Sequence, residues 1–120
     1  GLAAGVVEQA VGALGADPGQ VLAWLGPAIG PDAFEVGTEV RDLFLAADPG
    51  AGEAFRPGAE GRWLTDLGVL AVRRLERIGV RAVFGGGLCT YSDPSRFFSY
   101  RRDGVTGRMA SLIWLSPDPC

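Results

Sequence analysis

The chain has 120 residues, a net charge of −3, 48% hydrophobic and 21% charged side chains, which fits one globular domain at most. A chain of this size buries roughly two thirds of its unfolded surface, enough for a single core, and its composition is too apolar for a disordered segment. The acidic balance gives no footing for nucleic acid or an anionic membrane as partner, and no apolar run reaches the roughly 18 residues of a membrane span.

All eleven basic residues are arginine, and neither lysine nor histidine occurs. Two cysteines, Cys89 and Cys120, are too few for a disulfide framework, although the sequence alone leaves an oxidised pair open. Residues 1–15 lack the basic start of a signal peptide, so a cytoplasmic setting is expected. The chain opens on Gly1 rather than Met and reads as part of something larger.

Leu2, Val6, Ala10, Val11 and Leu14 recur at helical spacing, with Gly15 as the stop. Asp17-Pro18-Gly19 predicts a turn, and the apolar run Val21 to Leu25 a buried strand. Gly26-Pro27-Ala28-Ile29-Gly30-Pro31 then fixes an irregular loop. Thr38 predicts the cap of a helix through Val40, Leu43, Phe44 and Ala47, ended by Asp48-Pro49. Residues 49–61, rich in Gly, Ala and Pro, read as a surface loop.

Asp66 predicts the cap of a second patterned helix in which Leu67, Leu70, Ala71, Leu75 and Ile78 face inward. Arg73, Arg74 and Arg77 fall on its solvated side, and Gly79 closes it. Val80 to Phe84 predicts a strand. Phe97 to Arg101 and Met109 to Leu115 read as two antiparallel strands, with Asp103-Gly104 and Thr106-Gly107 supplying the turn. The sum is a mixed α/β unit with about four strands and three helices.

Three segments carry backbone that side chains cannot crowd: 26–30, 85–87 and 103–107. Glycines there permit close approach of a ligand. Arg101, Arg102 and Arg108 offer forked donors for phosphate or carboxylate, and Phe97, Phe98 and Tyr100 a stacking face. Residues 103–108 lack the spacing and the lysine of a P-loop. Cys89 has no histidine to activate it, so it reads as a small buried hydrophobe rather than a nucleophile. Two cysteines without histidine make no recognisable zinc site.

Trp24 to Pro31 with Phe34 to Gly37, then Gly85-Gly86 with Cys89-Thr90-Tyr91, Phe97 to Asp103 and Thr106 to Leu115, resemble the YfiH-like family in order along nearly the whole chain. These bacterial proteins carry the names multicopper polyphenol oxidase and purine nucleoside phosphorylase. The resemblance implies a layered α/β fold, a mixed sheet with flanking helices, grouped with cysteine-hydrolase-like toxin domains and incomplete in this chain. It implies phosphorolysis of adenosine, inosine and methylthioadenosine, with adenosine deamination alongside. It also implies a zinc or copper site made by two histidines and one cysteine.

Those ligands would lie upstream of Gly1, and Cys89 does not match the ligand cysteine. Residues 1–115 are then the C-terminal portion of one domain and 116–120 a tail. Alone, the portion is expected to bind no metal and to be inactive, its partners being the missing N-terminal half and, in the intact enzyme, purine nucleoside and phosphate. Motif position assigns substrate contact to Gly26, Pro27, Ala28, Phe98, Ser99, Arg101 and Arg102, with no catalytic residue in the chain. A copper-dependent polyphenol oxidase and a non-enzymatic binding module are the competing readings. Gly68 stands where relatives tend to carry a larger residue.

Overall fold

The computed structural model of the chain describes residues 1–117. Four α-helices and five strands follow in the order α1 (Val6–Leu14), β1 (Leu22–Leu25), β2 (Glu35–Gly37), α2 (Thr38–Ala47), β3 (Phe55–Pro57), β4 (Arg62–Thr65), α3 (Leu67–Arg77), β5 (Ala82–Gly85) and α4 (Tyr100–Asp103), with 3₁₀ turns at Pro18–Gln20 and Pro49–Ala54. The strands make two small sheets. β1 and β5 pair in parallel, Leu22 opposite Ala82 and Leu25 opposite Gly85. β4 lies between β2 and β3, antiparallel to both.

Two apolar clusters hold these pieces. Val36, Phe44, Ala51, Ala54, Phe55 and Leu70 form the larger, between α2, α3 and the antiparallel sheet. Phe44 and Phe55 meet there with ring centroids 6.0 Å apart. Val21, Leu75 and Val80 form the smaller, against which Val7 and Val11 of α1, Ala23 of β1 and Val83 of β5 pack. Strand alternation sends Ala23 and Val83 to this side and leaves Leu22, Trp24 and Phe84 exposed on the other. A two-stranded parallel sheet with one bare apolar face is an incomplete layer, since parallel sheets are ordinarily covered on both faces.

Local chemistry explains the helix ends. The Asp66 carboxylate accepts the Val69 N–H at 3.1 Å and starts α3. Gly15, at φ 68°, ends α1 and donates its N–H to Gly12. Asp17 accepts from the Gly19 N–H at 3.0 Å, turning the chain into β1.

Several expectations are corrected. The first helix begins at Val6, because residues 2–5 form turns and Gly5 adopts a left-handed φ of 93°. Gly37, not Thr38, caps α2, and the Thr38 hydroxyl instead accepts from the Trp63 indole N–H at 3.2 Å. Segment 49–61 is not simply loop: it holds a 3₁₀ turn and β3, whose Phe55 and neighbouring Ala51 and Ala54 are buried. Arg74 is buried, and Arg73, though partly exposed, is engaged in ion pairs. Arg73 grips both Asp48 oxygens, at 2.7 and 2.9 Å, and reaches Glu53 at 3.0 Å. Arg74 is buried between α1 and α2, bonded to Glu8 at 2.8 Å and facing the Phe44 ring.

The two C-terminal strands are absent from the described residues. The Ser99 hydroxyl takes the Arg102 N–H at 3.2 Å and opens the short helix α4 where a strand was expected. Residues 109–115 run as an exposed, unpaired segment. The described residues are thus mixed α/β, as expected, with their strands in one small parallel and one small antiparallel sheet.

Candidate active-site cavity

Parallel pairing places the carboxyl ends of β1 and β5 side by side, the position where open α/β sheets form ligand crevices. Both strands leave the sheet through glycine. β1 runs into Gly26-Pro27, and β5 into Gly85, Gly86 and Gly87, all three with φ between 83° and 93°. The two exits stay in register: Gly86 donates to the Leu25 carbonyl at 2.9 Å, Thr90 donates to Ala28 at 2.9 Å, and Ala28 and Cys89 form a parallel bridge.

Between them and the start of α3 lies a cavity of about 550 Å³. Leu25, Gly26, Ala28 and Ile29 form one wall, Gly86, Gly87, Leu88, Cys89 and Ser92 a second, and Asp66, Leu67 and Gly68 a third. The walls are mainly apolar, with a few convergent polar groups, the character of a small-molecule site. Gly68 costs helix propensity but keeps the third wall low.

Cys89 is half-buried and carries a free thiol. Its Sγ accepts the Gly30 N–H at 3.1 Å and lies 3.3 Å from the Ser92 Oγ. Burial pushes the thiol up, but the Ser92 hydroxyl and the Gly30, Ser92 and Tyr91 N–H groups together bring it below the ordinary cysteine value. Cys89 is thus a polar member of the cavity wall, not the small buried hydrophobe expected from its surroundings in sequence. Cys120, its possible disulfide partner in sequence terms, lies outside the described residues, as do 118–120 of the expected tail.

The expected contact residues do not gather in one place. Gly26 and Ala28 line the cavity, while Pro27 between them is half-buried and not on its wall. Phe98 lies over a separate shallow depression with Gly107 and Met109. Ser99 is buried and spent on capping α4. Arg101 donates to the Glu35 carbonyl at 3.1 Å and stacks 5.2 Å from the Phe34 ring centre. Arg102 bonds to the Thr90, Tyr91 and Phe97 carbonyls and to the Asp103 carboxylate. Cys89, Ser92 and Asp66, which do line the cavity, were not among the expected residues. For Cys89 and Ser92 the signal was the glycine triplet at 85–87; for Asp66 the sequence offered only its place as a helix cap.

No three His, Cys, Asp or Glu side chains among the described residues converge as a metal-holding group. Asp66 is engaged as a helix cap, and Asp32 is paired with Arg56. Among the described residues these donors do not assemble a site for the metal that the resemblance implies.

Over residues 1–116 the sequence matches the multi-copper polyphenol oxidoreductase laccase family. The chain belongs to that family. Among relatives of this laccase-domain chain, it is 59% identical over 116 residues to the purine nucleoside phosphorylase PA4543 of Pseudomonas aeruginosa, covering 96% of this chain and 48% of the relative. Against the purine nucleoside phosphorylase YfiH of Escherichia coli it is 54% identical over 115 residues, 96% and 47% of the two chains. The crystal structure of Neisseria meningitidis protein NMB0706 matches with a TM-score of 0.84 at 47% identity, over 87% of this chain and 43% of that one. That of YlmD from Geobacillus stearothermophilus matches with a TM-score of 0.78 at 27% identity, over 87% and 41%. The laccase-domain chain thus spans about half the length of the curated relatives it matches. Among the described residues no helix is long and apolar enough to cross a membrane.

Proposed function

We propose that residues 1–115 are the C-terminal part of a single catalytic domain, and that the intact domain is a purine nucleoside phosphorylase. The observation that carries this reading is the cavity at the paired ends of β1 and β5, in a chain 59% identical to a relative bearing that name. Its apolar walls, Leu25, Ile29, Leu67 and Leu88, suit the flat face of a purine. The side-chain-free backbone at Gly26 and Gly86–Gly87 lets the ribose or phosphate approach closely. In phosphorolysis a phosphate oxygen bonds to the ribose C1′ while the C1′–N9 bond breaks, and the departing base takes a proton. This chain holds and orients the nucleoside. The metal, zinc or copper, and its ligands come from the remaining polypeptide.

The exposed face made by Leu22, Trp24 and Phe84, and the exposed apolar segment Leu112, Ile113 and Trp114, receive that polypeptide. Supporting this, each solved relative carries more than half its length beyond the matched region. Adenosine, inosine and methylthioadenosine are the proposed substrates.

The test is phosphate-dependent release of base from adenosine and inosine, by the chain alone and by the chain co-expressed with the N-terminal half of the Pseudomonas relative. Activity in the complex and none in the chain alone is expected. Oxygen uptake with a phenol and no phosphorolysis would replace this reading with the polyphenol oxidase. Nucleoside binding without turnover in the complex would leave a binding module.

A further inference from the structure

The loop from Cys89 to Phe98 has neither strand nor α-helix to hold it, yet its first turn forms the second wall of the cavity. Within the loop, Asp93 gathers the Ser95 hydroxyl, the Arg96 guanidinium and the Phe97 N–H. Those ties fold the loop's outer half and leave the Thr90, Tyr91 and Phe97 carbonyls without a backbone partner in any sheet.

Arg102 supplies those partners. One terminal nitrogen donates to Thr90 at 2.9 Å and Tyr91 at 3.1 Å, and the other to Phe97 at 2.9 Å and Asp103 at 2.8 Å. Nε donates to Asp103 at 3.0 Å, and the backbone N–H is capped by Ser99. A guanidinium carries five N–H groups in a fixed plane, and these contacts use all of them. Nothing is left to present to a phosphate. Asp103, one residue on, fixes the plane, and its carboxyl is held below its usual range by Arg102. Arg101, one residue back, points instead to Glu35 and Phe34, so the two neighbouring arginines do different things.

We propose that Arg102 is a positioning residue, which fixes the Cys89–Ser92 wall of the cavity by drawing the Thr90, Tyr91 and Phe97 carbonyls onto one guanidinium. The proposal rests on the cavity being the substrate pocket, but it can be tested without turnover. Cys89 reports the wall's position, because its Sγ feels the Tyr91 and Ser92 N–H groups that the same turn aims at it.

The experiment measures alkylation of Cys89 by iodoacetamide against pH, read by peptide mass spectrometry, with Cys120 of the same chain as reference and circular dichroism as the fold control. In Arg102→Gln the donors to the loop are lost and the turn relaxes. The midpoint of Cys89 alkylation then moves up, and its rate at pH 7, relative to its alkaline plateau, falls roughly threefold or more. Arg102→Lys gives the same direction, because one ammonium cannot span three carbonyls and a carboxylate. Arg101→Gln leaves the profile unchanged. An unchanged Cys89 profile in Arg102→Gln overturns the proposal, as does an equal change in Arg101→Gln. Loss of the whole helical signal in both Arg102 variants also overturns it, since Arg102 would then hold the fold rather than the wall. If the profile shifts as expected but the intact protein lacks phosphorolysis, the functional reading fails while the positioning role stands.

Discussion

Replacing Arg74 by Met tests whether α1 is locked to the body of the chain by a buried ion pair. Arg74 has 10% of its side chain exposed and Glu8 has 31%, at 2.8 Å. Arg74 also donates to the Ala3 carbonyl at 3.3 Å and faces Phe44. Removing one partner of a buried pair costs about 3–5 kcal/mol, because the other charge is left without compensation. Glu8 is near enough to water to recover part of this, so about 2–3 kcal/mol is expected. Its second oxygen, Oε1, is buried without a partner among the described residues, so Arg74 is the only side chain among them that hydrogen-bonds the charge there.

The double variant Glu8→Leu with Arg74→Met removes both charges and should recover most of the loss. A pH dependence follows. Burial pulls the Glu8 carboxyl up, but the Arg74 hydrogen bond and charge, with its own backbone N–H and Arg77, pull it down further, to a net value below the ordinary glutamate range. A depressed folded value means the contribution is present above the unfolded value and lost as pH falls through the folded one. The difference between the parent chain and Arg74→Met therefore shrinks in acid. Urea unfolding followed by circular dichroism, at neutral pH and in acid, measures both effects. A cost below about 0.5 kcal/mol, the level of an exposed pair, or a double variant no better than the single one, would refute the reasoning.

Other perturbations separate the roles of individual residues. Gly85→Ala should destabilise strongly, since its Cβ would come within 2.6 Å of the Trp24 indole nitrogen and 2.7 Å of the Leu25 carbonyl at a φ of 83°. Gly87→Ala, at a similar φ but with open space around the added methyl, should cost only the backbone strain of about 1–2 kcal/mol. Equal costs in urea unfolding would show that β1 and β5 are not packed this closely at their exits. Asp66→Ala removes the α3 cap and should cost about 1 kcal/mol, with faster hydrogen exchange at Val69 as the local signature. Asp48, gripped by Arg73 and held below the usual aspartate range, adds acid sensitivity of the same sign as Glu8, and Asp48→Asn should flatten it in an acid titration.

The long periodic elements were legible in the sequence. α1, α2 and α3 follow from apolar spacing, and β1 and β5 from short apolar runs closed by glycine. β2, β3 and β4 were not, being three or four residues long and holding Gly37, Arg56, Pro57 and Arg62 where a strand signal needs β-formers. They exist because β4 supplies two partners and Phe55 and Val36 reach the core. Residues 97–101 and 109–115 have the opposite history. Their alternation suits a strand, but a strand requires a neighbour. Ser99 captured the first as a helical turn, and the second has no paired strand among the described residues.

The cavity was half legible. The glycine runs at 26–30 and 85–87 stand out in sequence, but only the parallel register of β1 and β5 brings them together. Arg102 was read for its charge, whereas its geometry serves the carbonyls of its own loop.

The most direct measurement is the KM for adenosine of the assembled enzyme carrying Ala28→Trp. Ala28 is exposed on the cavity wall, and the larger side chain fills space there without entering either core cluster. If the nucleoside sits in this cavity, KM rises by about tenfold or more while the circular dichroism spectrum is unchanged, a binding loss of about 1.4 kcal/mol. Parent-like KM and kcat in a folded Ala28→Trp enzyme would place the nucleoside elsewhere and contradict the assignment.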